Sequence, residues 1–276
     1  MEEETAWTMS AQGKSTYEDY LALFGQWGGT DEAYLADHYQ RFVATLAEFR
    51  SGWTQSGARV LDVGAHWLHQ AVMWRQAGFA VIAVDLPSTF STESVRQLAQ
   101  SMDIHLIPCA DLEHARVLEV LPDDSVDVVL FTEIIEHITF NPLQFWRQVY
   151  RVLAPGGRIL VTTPNYYSWK GRAWQFLRFA RGMGGGLSVD RILGQHTYAH
   201  HWREFSRREM LRYFALLSPD FQPVKAKLMP AYAYSSVRWK SIVQRLLDCL
   251  PLLRPNLHLE IALPVKSRGI TAKASW

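Results

Sequence analysis

Val60-Leu61-Asp62-Val63-Gly64 carries an apolar run into a glycine, and its reading decides the fold. A short apolar run closed by glycine is what a buried strand needs before a tight turn into a helix. Two later stretches repeat the plan. Val81-Ile82-Ala83-Val84-Asp85 ends on an acid, and Phe131-Thr132-Glu133-Ile134-Ile135-Glu136-His137 ends on two carboxylates and an imidazole. In an open α/β sheet, ligands bind beyond the carboxyl ends of the strands, where the strand order reverses. All three stretches place polar residues at such ends, which points to a nucleoside-type cofactor with ionisable groups beside it.

Outward from this centre, strands are expected near 59–63, 80–85, 104–108, 126–131 and 157–163. Helices are expected near 67–77, 92–101, 112–120 and 142–153. Such alternation with short connections argues for a parallel, doubly wound sheet. Upstream, residues 1–16 read as a polar tail, and Tyr34, Leu35, Phe42, Leu46 and Phe49 recur at helical spacing between Asp31 and Arg50. Ser51-Gly52 and Ser56-Gly57 then break the chain, so 1–56 is read as a tail and helical cap and 57–276 as the sheet domain. Downstream, the regular beat stops after Thr163-Pro164-Asn165, and about 166–205 reads as a long lid insertion with few elements of its own. Ser206-Arg207-Arg208-Glu209 is a capping box that starts a helix over 207–217. Strands near 221–229 and 257–264 close the sheet, with a helix near 236–250 between them. That segment, Val237 to Leu250, is basic and amphipathic. It reads as a crossover helix, with a membrane surface or a partner as the other reading.

At 276 residues and 48% hydrophobic content, the chain can bury one large α/β core. A net charge of +1 gives no global electrostatic reason to expect nucleic acid or an anionic membrane. Cys109 and Cys249 are too few for a disulfide framework, Met1-Glu2-Glu3-Glu4 lacks the features of a signal peptide, and no apolar run spans a bilayer. The expectation is a cytoplasmic protein with no membrane span. Oligomeric state is open, a homodimer among the options.

Asp85 follows the glycine turn at the roughly 20-residue spacing at which an acid takes ribose hydroxyls. A dinucleotide fingerprint would continue with two further glycines, and His66 and Leu68 stand two and four positions beyond Gly64 instead. The second of the three glycines lets backbone approach a pyrophosphate, and His66 obstructs that approach. A nicotinamide or flavin dinucleotide is therefore disfavoured.

With these residues in order, the chain resembles the class I S-adenosylmethionine-dependent methyltransferases over about 58–230. Asp62-Val63-Gly64 matches the start of that family's acid-x-Gly-x-Gly-x-Gly loop, while His66 and Leu68 depart from its later glycines. The match continues through Glu133-Ile-Ile-Glu-His137, Ala154-Pro-Gly-Gly157, Thr163-Pro-Asn165 and His201-Trp-Arg-Glu-Phe-Ser206. The resemblance implies a mostly parallel, seven-stranded Rossmann-like sheet with an amino-terminal helical cap. It implies S-adenosyl-L-methionine held by Asp62, Gly64, Ala65 and His66, by Asp85 and Leu86, by Asp111 and Leu112, and by Glu133.

Glu133, Glu136 and His137 share one face if a helical turn begins at the strand end. Two carboxylates and an imidazole can hold Mg, Mn or Zn, or they can serve as general-base machinery. The segment is similar to that of the metal-dependent methyltransferases acting on the 3′-terminal ribose of small RNAs, which implies Glu133, Glu136, His137 and His201 as metal ligands. It also resembles methyltransferases acting on small molecules and glycans, in which the motif is not by itself evidence of metal. The residues themselves offer His137 or His201 as base, with Glu133 or Glu136 orienting it or holding a metal. His196 and His200 read as solvated loop residues. Lys170, Arg172, Arg178, Arg181 and Arg191 are interleaved with aromatics. That pattern is either an RNA track or an amphipathic helix with its apolar side inward. The charge balance favours a small-molecule acceptor, a sugar or secondary metabolite, over nucleic acid. A non-catalytic binding module is the remaining alternative.

Overall fold

The computed structural model describes residues 16–27, 31–55, 57–183 and 185–274. Seven strands form one sheet: β1 (Arg59–Val63), β2 (Ala80–Asp85), β3 (His105–Pro108), β4 (Val126–Thr132), β5 (Leu153–Pro164), β6 (Gln222–Met229) and β7 (Asn256–Leu263). Their order is β3-β2-β1-β4-β5-β7-β6. The pairs from β3 to β5 are parallel, and β7 runs antiparallel to both β5 and β6. After β1 the chain steps to β2 on one side, and after β3 it crosses to β4 on the other. The crevice between the carboxyl ends of β1 and β4 is therefore the topological switch point.

Alternating residues of each strand feed two cores. Val60, Val128, Leu130 and Leu160 face one side of the sheet, and Leu61, Val63, Val129, Phe131 and Val161 face the other. The first core is covered by α1 (Tyr17–Gly25), α2 (Glu32–Arg50), α3 (His69–Gln76), α4 (Pro87–Phe90) and α5 (Glu93–Ser101). Phe24, Leu35, Phe49 and Trp74 fill it. The second is covered by α6 (Leu143–Val152) and α9 (Arg207–Leu217), which supply Phe145, Trp146 and Phe214. Between β5 and α9 lie two short helices, α7 (Phe176–Ala180) and α8 (Val189–Gly194), and α10 (Arg238–Asp248) lies between β6 and β7.

The doubly wound sheet, the cap helix beginning at Asp31 and the capping box at Ser206 and Glu209 are as expected. Two expectations need correction. The helix expected near 112–120 is a 3₁₀ turn, Arg116–Val120, entered through Ala115 in the left-handed region at φ 50°. The fifth strand, expected near 157–163, begins at Leu153 and takes in Ala154-Pro155-Gly156-Gly157 opposite a register shift between Val126 and Val128, so the glycines serve a bulge. Of the expected tail, residues 1–15 lie outside the described residues, and Thr16 caps α1 through a capping box with Asp19. The lid carries α7, α8 and the 3₁₀ turns Arg172–Trp174 and Thr197–Ala199.

α2 is tied to the far edge of the sheet by charge. Lys225 of β6 lies 2.9 Å from Glu48 of α2 and 2.9 Å from Glu260 of β7. Glu260 is fully buried, which alone would raise its pKa, but bonds from His258 and Lys225 hold the carboxyl below its ordinary value. The cap helix that brings Tyr34 and Arg41 to the switch point is thereby fixed in position.

Candidate active site

The turn after β1 is defined by its backbone. Gly64 has φ +77°, a conformation that side chains rarely adopt, and a Cβ there would meet Ile134 Cδ1 at 2.1 Å, so the Ile134 side chain of the loop after β4 would have to shift. His66 and Leu68 also lie in the left-handed region, at φ 48° and 67°. The positions where glycines were expected thus keep a glycine-like backbone, at a cost of about 1–2 kcal/mol per residue. Leu68 offsets its share by complete burial in the first core. The His66 ring packs 4.6 Å from that of Tyr34 on α2.

Asp85 holds this turn from the neighbouring strand. Its carboxylate accepts from His66 N–H at 2.7 Å, Leu86 N–H at 2.7 Å and the Thr89 hydroxyl at 3.0 Å. Asp62, at the end of β1, is 1% exposed. Gln70 donates to it at 3.4 Å and to Thr132 Oγ1 at 3.0 Å, while Asp62 Oδ2 has no partner. Burial pushes the Asp62 carboxyl up to about 7, Gln70 works against this, and the Asp85 charge adds to it.

These groups border a small, partly open cavity lined by Tyr34 and Arg41 of α2, Asp62 of β1, Gly64 and His66 of the turn, and Thr132 of β4. Arg41 donates to the Tyr34 hydroxyl at 3.2 Å and lies 3.7 Å from Glu133. Glu133 is the first residue beyond β4 and is itself left-handed, at φ 54°. Several buried atoms here lack partners: Arg41 Nε, His66 Nδ1 and Glu133 Oε1 in addition to Asp62 Oδ2. Buried polar groups are ordinarily satisfied, so such a set marks a ligand site. A zwitterion carrying an ammonium, a carboxylate and a polar nucleoside matches it: two carboxylates for the first, a guanidinium for the second and the Asp85 strand end for the third.

A second cluster lies one turn further along. Glu136 is fully buried. Its Oε2 accepts from the Thr163 hydroxyl at 3.0 Å, and its Oε1 stands 3.9 Å from His137 Nε2 with no hydrogen bond. Burial raises the Glu136 carboxyl well above its ordinary value, and the Glu133 charge reinforces this. His137 Nδ1 is 3.0 Å from the carbonyl oxygen of His200. A carbonyl can only accept, so Nδ1 carries the proton and Nε2 keeps its lone pair. Burial lowers the His137 pKa, opposed by the His200 carbonyl and the Glu133 charge. The His201 ring meets that of His137 edge-on at 4.8 Å. Its pKa is lowered to about 4 by burial first, then by His137 and Arg172.

One potential ligand atom from each of Glu136, His137 and His201 falls within 4.8 Å of the others. Glu133 does not join them. The expected common helical face does not form, because left-handed Glu133 and the 3₁₀ turn Ile135–His137 aim the Glu133 carboxylate at Arg41. Asp111 and Leu112 follow β3, but Asp111 is exposed and pairs with His114 at 2.7 Å, and Leu112 packs on the second core. Ala65 is buried within the turn.

Several lid expectations are overturned. His200 is 2% exposed and not solvated, whereas His196 is exposed. Arg172 belongs to neither a solvated face nor a nucleic-acid track. Its guanidinium donates to the carbonyls of His201 and Trp202, the latter at 2.8 Å, and lies 3.6 Å from Glu204. It therefore braces the backbone on which His201 stands. Phe176, Leu177 and Phe179 of α7 face outward, the reverse of an amphipathic helix with its apolar side inward. Sequence reasoning also passed over Gln70 and Thr163. The available signal was a polar side chain one helical turn past a glycine loop, and a hydroxyl at the end of an apolar strand.

A family model described as a methyltransferase domain matches residues 35–217. The chain belongs to the class I S-adenosylmethionine-dependent methyltransferases. A probable S-adenosylmethionine-dependent methyltransferase of Mycolicibacterium smegmatis is 48% identical over 59 residues, which is 21% of this chain and 23% of that protein. A ubiquinone biosynthesis O-methyltransferase of a Caulobacter species is 29% identical, across 70% of this chain and 69% of the relative. A malonyl-[acyl-carrier protein] O-methyltransferase of Yersinia pestis is 32% identical, across 54% of each. The match thus spans under a quarter of the first relative and about half of the last. Among solved structures, the putative methyltransferase in complex with the Haloferax volcanii Trm112 activator superposes with a TM-score of 0.60 at 15% identity. It covers 92% of this chain and 100% of that one. The [4+2]-cyclase SpnF superposes at 0.54 and 14% identity, across 82% of each chain. Such distant neighbours speak for the fold alone, and one of them carries a different chemistry on it. What the family match shows is membership of a group whose named relatives are S-adenosylmethionine-dependent methyltransferases. Among the described residues, no helix of this methyltransferase is long and apolar enough to cross a membrane.

Proposed function

We propose that the chain transfers a methyl group to a hydroxyl oxygen of a small-molecule acceptor, with a nitrogen acceptor as the variant, and that His137 is its general base. When bound, S-adenosylmethionine supplies an electrophilic methyl on a sulfonium, whose sulfur keeps the electron pair of the broken C–S bond. Asp85 would hold the ribose hydroxyls at the strand end. Arg41 would take the amino-acid carboxylate, with Asp62 and Glu133 available to the ammonium. His137 Nε2 accepts the acceptor's proton as the new O–C bond forms, and Nδ1–H, fixed on the His200 carbonyl, keeps the ring in the accepting tautomer. Glu136 and His201 hold that ring against the site, and Arg172 acts one step removed as a positioning residue. Much of the acceleration would come from aligning acceptor and methyl in a water-poor pocket.

The observation that carries this reading is the His137 hydrogen bond, because it turns Nδ1 to the His200 carbonyl and leaves Nε2, half-buried at the carboxyl end of β4, free to accept a proton. Relatives named for O-methylation support oxygen over nitrogen. A second reading has its own support: the Glu136, His137 and His201 cluster is compact enough to hold Mg, Mn or Zn, with Glu136 Oε1 unpartnered. A turnover assay with and without a chelator separates the two. Base catalysis survives metal removal; loss of turnover that returns with added Mn or Zn assigns the cluster to a metal.

A further inference from the structure

Two segments at the rim of the site share a composition that the rest of the chain lacks. In the lid, Lys170, Arg172, Arg178, Arg181, Arg191 and Arg203 stand against Asp190 and Glu204. Between β6 and β7, Arg238, Lys240, Arg245 and Arg254 stand against Asp248. The whole chain carries only +1, so the remainder is net acidic. Both segments rise from the same edge of the sheet. β5 and β6 are each antiparallel to β7, so the lid after β5 and α10 after β6 both leave the carboxyl edge that holds the site. They join there: Trp169 N–H donates to the Leu253 carbonyl at 3.2 Å, and Asn165 Nδ2 donates to the Leu252 and Arg254 carbonyls at 2.9 and 2.8 Å.

α10 is attached inside out. Trp239, Ile242, Val243 and Leu246 fall at i, i+3, i+4 and i+7, one face of the helix, and are 64, 52, 45 and 64% exposed. The polar face holds the helix to the protein. Gln244 Oε1 accepts from Ser235 N–H at 2.7 Å, and Asp248 Oδ2 accepts from Ala231 N–H at 2.8 Å and the Tyr234 hydroxyl at 2.9 Å. Arg238, Lys240 and Arg245 border the outward apolar stripe. The lid repeats the pattern, with Phe176, Phe179 and Leu193 at 66, 84 and 81% exposed among its arginines.

We propose that this rim docks on the surface of an anionic lipid bilayer, and that the methyl acceptor is an amphiphile reached from that surface. An outward apolar stripe with an aromatic at one end and cations along its borders is the pattern of a helix lying in a membrane interface. Nucleic acid fits less well, since Ile242, Val243, Leu246 and Leu193 offer no π-face on which bases stack. A second copy fits less well too, since two such faces bring like charges together. The docking stands apart from the chemistry; the amphiphilic acceptor rests on the methyltransferase reading above.

The test is co-sedimentation of the full chain with vesicles of phosphatidylcholine alone and of phosphatidylcholine with phosphatidylglycerol, beside a calorimetric titration with S-adenosylmethionine. The docking surface predicts capture by the anionic vesicles, weakened by salt. It predicts a loss of about tenfold or more in Arg238→Glu/Lys240→Glu and in Trp239→Ser/Leu246→Ser. Both double variants change exposed residues, so they should keep wild-type melting and cofactor binding. Three results overturn the proposal: no capture by either vesicle, capture unchanged in both variants, or sedimentation velocity showing a dimer that Trp239→Ser/Leu246→Ser dissociates. Capture of single-stranded RNA without capture of vesicles overturns it as well. Failure of the cofactor titration with vesicle capture intact removes the enzymatic reading and leaves the docking standing.

Discussion

The turn after β1 and the loop after β4 both end buried strands at the switch point, and both hold non-glycine residues at positive φ. They differ in the chemistry they present. In the first, backbone groups carry the structure: Gly64 and Ala65 N–H donate to the Val84 carbonyl at 2.8 and 3.2 Å, His66 N–H to Asp85, and Leu68 N–H to the Ala65 carbonyl at 2.9 Å. In the second, backbone bonds also close the loop, Glu133 N–H to the Thr162 carbonyl at 2.8 Å and Trp202 N–H to the Glu136 carbonyl at 2.7 Å, but Glu133 Oε1, Glu136 Oε1, His200 Nδ1 and Trp202 Nε1 are buried without partners. The first region is a finished cradle whose shape does not depend on what it holds. The second is an array of titratable groups whose state depends on its occupant.

If that contrast is right, removing the acid that secures the cradle has the largest effect. Asp85→Ala frees three donors, two of them backbone N–H groups, and is expected to weaken S-adenosylmethionine binding by about 100-fold or more. A change below about threefold in a calorimetric titration would show that the cradle stands without its acid. His137→Ala should instead spare cofactor affinity and cut turnover by about 100- to 1,000-fold. The pH profile sharpens this. A base acts when neutral, and burial lowers the His137 pKa, so activity should hold as the pH falls through the ordinary histidine value of about 6.5 and fail only below it. A profile that fails above that value would remove His137 from the role.

Smaller effects concern the wall shared by the two regions. His69 is buried among Phe24, Tyr34 and Phe42 with neither ring nitrogen bonded, and burial lowers its pKa to about 3. Its pKa is lower folded than unfolded, so the unfolded chain takes up a proton first as the pH falls below about 6.5, and stability is lost between there and about 3. His69→Phe should remove that loss. Its advantage over wild type in cofactor-free denaturant melts should grow by about 2 kcal/mol from pH 7 to pH 5. An advantage that does not change with pH would place the proton elsewhere. The smallest change is expected from His66→Gly, which relieves a left-handed side chain but frees the unfolded backbone. Stability should stay within about 1 kcal/mol and cofactor affinity within about threefold. A large gain in affinity would mean that the imidazole obstructs the cradle.

The same contrast explains what could be read from the chain. Gly64, Asp62 and Asp85 were legible because backbone-defined turns require particular residue types at fixed distances along the sequence. The sheet was legible because strand burial shows as apolar runs. His66 and Leu68 were misleading, since residue type suggested a broken loop where φ remained glycine-like. The β4 loop was harder. His137 and His201 meet only because residues 63 positions apart in sequence share a hydrogen bond, from His137 to the His200 carbonyl. Arg172 reads as one more lid arginine until its carbonyl partners are seen. The inside-out seating of α10 was equally hidden, because periodicity reveals an apolar stripe but not the side of the helix that faces the protein.

The most direct measurement is calorimetric titration of the full chain with S-adenosylmethionine. Saturable one-to-one binding is the predicted result, because the turn after β1 keeps its shape through φ at positions 64, 66 and 68 and not through glycines at all three. No heat of binding at millimolar cofactor would contradict the account, and would mean that His66 and Leu68 have closed the cradle.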